Sequence, residues 1–102
     1  MPRLRTEPED FYHSLGNTIR ARRQEIGLSL ETLGMKTGGL TRATISGIEK
    51  GRQRLSAYQL HLFARALSVR ADDLIEKALA KEISFIQFVE KGKKGETAIN
   101  NL

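Results

Sequence analysis

The stretch SLETLGMKTGGLTRATISGIEKG, residues 29–51, decides the fold. Ser29 stands just before an apolar run, where a side-chain hydroxyl can accept from an otherwise unpaired helix N–H. The short helix it opens carries Leu30 and Leu33 and stops at Gly38-Gly39. Thr41 opens the next helix in the same way. Ile45 and Ile48 give that helix one buried side, and Gly51 ends it. Gly34, directly after Leu33, is small enough to let the second helix cross close against the first.

Upstream, Thr6, Glu7, Glu9 and Asp10 suit a helix start, because carboxylates stabilise the positive end of the helix dipole. Phe11, Leu15 and Ile19 recur every four residues, with Ile26 on the same stripe, so the helix spans 8–26 and closes at Gly27. Downstream, Ser56 caps a fourth helix whose Leu60, Phe63, Ala64 and Leu67 share one face. Asp72 and Asp73 open a fifth helix through Leu74, Ile75, Ala78 and Leu79. The expected fold is all-α, with five short helices in one domain over residues 9–80. Residues 1–8 read as a basic N-terminal arm, 81–91 as a C-terminal helical extension and 92–102 as a flexible tail.

A chain of 102 residues has room for one modest core, which suits a binding module better than a deep catalytic cleft. Its net charge of +5 favours polyanionic partners. The absence of cysteine removes disulfides, thiolate metal sites and cysteine nucleophiles, and agrees with a reducing cytoplasm. Met1-Pro2-Arg3-Leu4-Arg5 does not read as a signal peptide, and no stretch reaches the roughly 20 apolar residues of a membrane span. A cytoplasmic location without membrane contact is expected. His13 and His61 lack acidic or cysteine neighbours at ligand spacing, and no nucleophile elbow or phosphate-binding glycine loop occurs. No enzyme activity, metal or cofactor is expected.

Two short capped helices joined by a glycine turn describe a helix-turn-helix. With Ile45 and Ile48 turned inward, Thr41, Arg42, Ala43, Thr44, Gly47 and Lys50 remain on the outer side. Such a face fits a DNA major groove about 12 Å wide. Arg42, in the first turn, has the reach for paired hydrogen bonds to guanine O6 and N7; the plainer alternative is a solvated arginine. Thr41 is assigned to capping, and Thr44 to a phosphate or a thymine methyl. Lys50, Arg52 and Arg54 form a basic cluster suited to gripping phosphates.

Four motifs then point the same way. Gly16-Asn17-Thr18-Ile19-Arg20 with Arg23, Gly27-Leu28-Ser29, Ile45-Ser46-Gly47-Ile48-Glu49-Lys50-Gly51, and Phe63-Ala64-Arg65-Ala66-Leu67-Ser68-Val69 with Asp73-Leu74 resemble the phage-repressor (Cro-like, XRE) family. The resemblance runs from about Phe11 to Ile75. It implies a lambda-repressor-like domain that binds operator double-stranded DNA, usually as a dimer, to regulate transcription. It also implies a DNA-contact set of Ser29, Thr41, Arg42, Ala43, Thr44, Gly47, Lys50, Arg52 and Arg54. In the family, an arginine and a glutamate at the positions of Arg23 and Glu49 pair in the interior. Two departures stand out. The Gly38-Gly39-Leu40 turn holds one residue more than is usual, and Leu30 occupies a place where many members carry a phosphate-contacting glutamine.

On a helix continuing from 71, Ile75, Leu79, Ile83 and Ile86 form one stripe while Phe85, Phe88 and Val89 point elsewhere. A helix apolar on two sides needs two covers. Phe85, Ile86, Phe88 and Val89 are therefore expected to join two copies in a homodimer; the alternatives are a terminal helix folded back on the core, or a short strand. The domain suits a phage or plasmid repressor, a restriction-modification controller or an antitoxin. A different class of reading makes it a protein-interaction module whose apolar C-terminal segment binds a partner protein.

Overall fold

The computed structural model describes residues 7–80, and within them the chain is all-helical. Four helices are bounded as α1 Pro8–Glu25, α2 Leu30–Lys36, α3 Arg42–Glu49 and α4 Ala57–Ala66. A fifth, α5, occupies 71–80 up to the end of the described residues. Most of the expected N-terminal arm, the extension 81–91 and the tail 92–102 lie outside these residues, as do Phe85, Ile86, Phe88 and Val89.

Local chemistry sets the helix starts. Pro8 stands in the first position of α1, where a missing N–H costs nothing. The Asp10 carboxylate accepts from the Glu7 backbone N–H at 3.4 Å. Ser29, Thr41 and Ser56 each accept from the backbone N–H three residues on, at 3.0, 3.1 and 3.0 Å. Gln59 returns the favour to the Ser56 N–H at 2.9 Å, completing a capping box. The Arg70 N–H donates to Asp73 at 3.2 Å, which opens α5.

The core gathers Leu15 and Ile19 from α1, Leu33 from α2, Ile45 and Ile48 from α3, Phe63 and Ala64 from α4, Leu67 just after it, and Leu74 and Ala78 from α5. α3 lies against both α1 and α2, and α2 also meets α4. Thus α3 is clamped on its inner side and open on the other. Leu79 departs from expectation. It is 44% exposed, because the side of α5 that meets the core runs through Leu74 and Ala78, and Leu79 lies about 100° further round the helix.

Gly34 is buried, and the backbone that needs its missing side chain is the Leu40 carbonyl of the turn. From α3 itself, an Ile45 side-chain carbon comes to 3.7 Å, further off than the Leu40 carbonyl. The Gly34 carbonyl accepts from the Gly39 and Leu40 N–H groups, each at 3.0 Å. Gly38 and Gly39 both adopt positive φ, 91° and 85°, which residues with side chains rarely do. The longer turn is therefore a folded loop, bonded back onto α2.

Candidate nucleic-acid interface

The outer side of α3 is built from its two ends. At the N-terminal end, the Thr41 hydroxyl caps the helix and also donates to the Thr44 hydroxyl at 3.0 Å. Ser29 and Thr32 repeat this arrangement at the start of α2, with their hydroxyls 2.9 Å apart. Thr41, Arg42, Ala43 and Lys50 are exposed. Thr44, Ser46 and Gly47 are half-buried. Gly47, counted on the outer side from the sequence, lies partly beneath the Gln53 side chain, whose Oε1 would come within 2.8 Å of a methyl there. Its carbonyl accepts from the Arg52 and Gln53 N–H groups at 2.9 and 3.2 Å, and this folds the basic turn back over the end of α3.

Arg42 reaches across to α2, where its Nη1 donates to Glu31 Oε2 at 2.8 Å. Glu31 has a bond from its own backbone N–H as well as the Arg42 guanidinium beside it, and both hold its carboxyl below the usual value. At the other end of α3, Lys50, Arg52 and Arg54 are all exposed. The Arg54 guanidinium lies 4.9 Å from the centre of the Tyr12 ring, a cation–π contact that directs it over α1. Tyr12 is in turn packed edge-on to Phe11, with ring centres 5.2 Å apart.

Beneath this surface, Arg23 and Glu49 form a fork. Arg23 Nε donates to Glu49 Oε2 at 2.6 Å and Nη2 to Oε1 at 3.1 Å, while Nη1 donates to the Leu28 carbonyl at 2.8 Å. Their side chains are 11% and 5% exposed. Arg22, next to Arg23 in the chain, turns away to the Leu67 carbonyl at 2.9 Å and to Glu25 at 3.0 Å. Arg20 has no ion pair among the described residues. With Lys50, Ser46 and Leu30 it rims a cavity of about 140 Å³ floored by the Arg23–Glu49 fork.

Two side chains near this surface were not singled out from the sequence. Glu31 reads there as an ordinary first-turn carboxylate, and it stands on a different helix from Arg42, with the Gly38-Gly39-Leu40 turn between them, so no within-helix spacing relates the two. Arg20 is one of several arginines on α1, and only the folded chain sets it beside Lys50. No cluster of three metal-binding side chains occurs among the described residues. His13 lies against Gly51 and His61 beside Tyr58, well apart in the chain.

A short exposed helix held from behind, with basic groups at both ends, defines a helix-turn-helix DNA-binding protein. Residues 19–74 match the helix-turn-helix family HTH_3, and the chain belongs to this XRE-type family. Among solved structures it is similar to the restriction-modification controller protein C.AhdI from Aeromonas hydrophila. That match has 32% identity and a TM-score of 0.59, and covers 62% of this chain and 94% of that one. It is also similar in fold to the clp gene regulator ClgR from Corynebacterium glutamicum. One ClgR structure matches at 24% identity and TM-score 0.65, over 69% of this chain and 88% of that chain. A second matches at 20% and 0.69, over 84% and 96%. No curated protein matches in sequence. The chain is a DNA-binding transcription regulator, not an enzyme. No helix among the described residues is long and apolar enough to cross a membrane.

Proposed function

We propose that the protein is a cytoplasmic homodimer that represses or autoregulates transcription from a palindromic or near-palindromic operator. The observation that carries this reading is Arg42, 67% exposed in the first turn of an open helix, with Lys50, Arg52 and Arg54 ready at the far end. In it, Arg42, Ala43 and Thr44 face base edges, while Gly47, partly beneath the Gln53 side chain, reaches DNA only as that side chain moves aside. Ser29, Thr41, Lys50, Arg52 and Arg54 hold phosphates, and Thr41 keeps its capping bond meanwhile. Among the circuits open to this domain, the similarity to a restriction-modification controller at 32% identity favours a controller of that kind.

Reading and holding separate by experiment. Against an operator selected from random DNA, Arg42→Ala is expected to lose about 1–3 kcal/mol and to relax preference at one base pair per half-site. Lys50→Ala is expected to weaken all sequences alike and to flatten the salt dependence by about one unit of slope. A Lys50→Ala variant with altered base preference would overturn this division between reading and holding.

Dimerisation is assigned to Phe85, Ile86, Phe88 and Val89. Exposed apolar surface costs on the order of 25 cal/mol per Å², and a symmetric pairing sets two recognition helices about 34 Å apart for successive half-sites. Phe85→Ser with Phe88→Ser is expected to give helical monomers that bind a full operator weakly. Sedimentation decides the point: a monomeric wild type at high micromolar concentration, or a dimeric double variant, overturns the assignment.

A further inference from the structure

The Glu31–Arg42 bridge is an unusual object on a surface meant for a polyanion. Both side chains are largely exposed, 58% and 67%, and an ion pair in water contributes little to holding a fold together. A carboxylate on this side also repels phosphate and so lowers affinity for DNA of every sequence. The bridge therefore has little value either for stability or for general binding. Its geometry suits another purpose. An unrestrained arginine samples many rotamers, whereas reading guanine requires two N–H groups aimed together at O6 and N7. Glu31 engages the Nη1 end of Arg42 from a different helix, α2, and leaves Nε and Nη2 uncommitted among the described residues. The first-turn position of Glu31 and the bonded Gly38-Gly39-Leu40 turn hold the two residues together.

We infer that Glu31 is a specificity-determining residue: its carboxylate orients the Arg42 guanidinium for base reading, and it exchanges general affinity for discrimination. This rests on the base-reading role proposed for Arg42. The carboxyl, held below its usual value by its own N–H and by Arg42, stays ionised at neutral pH and keeps the bridge charged. In the bound state Arg42 is shared, with Glu31 behind it and the base in front. The fixed rear contact reduces the freedom lost on binding the correct base.

The test measures affinities of wild type, Glu31→Ala, Glu31→Gln, Arg42→Ala and the Glu31→Ala/Arg42→Ala double variant. The DNA panel is the selected operator, its single-position variants and a random duplex. Glu31→Ala is expected to bind the random duplex at least as tightly as wild type. At the base pair that Arg42 reads, it is expected to lose on the order of tenfold in discrimination. In the Arg42→Ala background the same change is expected to alter discrimination no further. Glu31→Gln, whose amide oxygen still accepts, keeps part of the preference. A Glu31→Ala variant that shifts every sequence by the same factor overturns the inference, because the carboxylate then acts only as a charge. An effect that persists without Arg42 also overturns it, since Glu31 would then act independently of that side chain. A flat profile for Arg42→Ala alone instead defeats the base-reading role on which the inference stands. Melting curves confirm that the exposed Glu31 variants remain folded.

Discussion

Replacing Glu49 by leucine is expected to destabilise the protein by about 3–5 kcal/mol, a large share of what holds a domain of this size together. The carboxylate is 5% exposed and takes two of the three hydrogen bonds that Arg23 donates, at 2.6 and 3.1 Å. Its removal leaves a permanently charged guanidinium beneath α3 with only the Leu28 carbonyl, 2.8 Å from Nη1, as a partner. Arginine does not relieve this by losing its proton. Exchanging both residues, as Arg23→Met with Glu49→Leu, is expected to cost less than either single change, because no charge then remains buried. The double variant still leaves the Leu28 carbonyl without its Arg23 donor, a loss of about 1 kcal/mol. Urea titrations of the three variants give the comparison. A single variant no worse than the double would show that the fork is open to water in solution.

The parts of this molecule that were legible in the sequence depend on neighbours within four residues. Ser29, Thr41 and Ser56 announce their helices because capping is a contact between a hydroxyl and an N–H three residues on. Phe63, Ala64 and Leu67 announce a buried stripe because helical period alone brings them together. Leu79 shows the limit of that logic. Extending one stripe from Ile75 through Leu79 selects a plausible side of α5, but the other helices decide which side meets the core, and they select Leu74 and Ala78. The outer side of α3 followed from the inward turn of Ile45 and Ile48, whereas the half-burial of Gly47 depends on how Gln53 folds back. Arg23 and Glu49, 26 residues apart, were matched through family resemblance. The Glu31–Arg42 bridge had no such guide. Its partners stand on separate helices, α2 and α3, and helical period does not carry across the turn between them.

Gly16→Ala is the second change from which a large effect is expected, and here two opposing terms must be weighed. In an exposed helix interior, alanine in place of glycine stabilises by about 1 kcal/mol. Gly16 is buried within α1, at its crossing with α3. An added methyl would sit 2.5 Å from the Glu49 carbonyl oxygen and 2.7 Å from its carbon, with the Ile48 carbonyl oxygen closer still. These are backbone atoms at the C-terminal end of α3, so no rotamer change clears them and the helices must separate. Overpacking of this kind costs about 1–3 kcal/mol and occasionally more, and here it carries a second penalty. Shifting the Glu49 backbone also shifts its carboxylate away from Arg23, and α3 is the helix that carries Arg42. The steric term is therefore expected to win, lowering Tm by roughly 4–8 °C for each net kcal/mol lost and weakening operator binding in the variant that still folds. Asn17→Ala, at the exposed next position of α1, supplies the control and is expected to leave stability unchanged or slightly raised. If Gly16→Ala melts with or above Asn17→Ala, α1 and α3 stand further apart in solution than this packing requires, and the close support of the recognition helix by α1 is wrong.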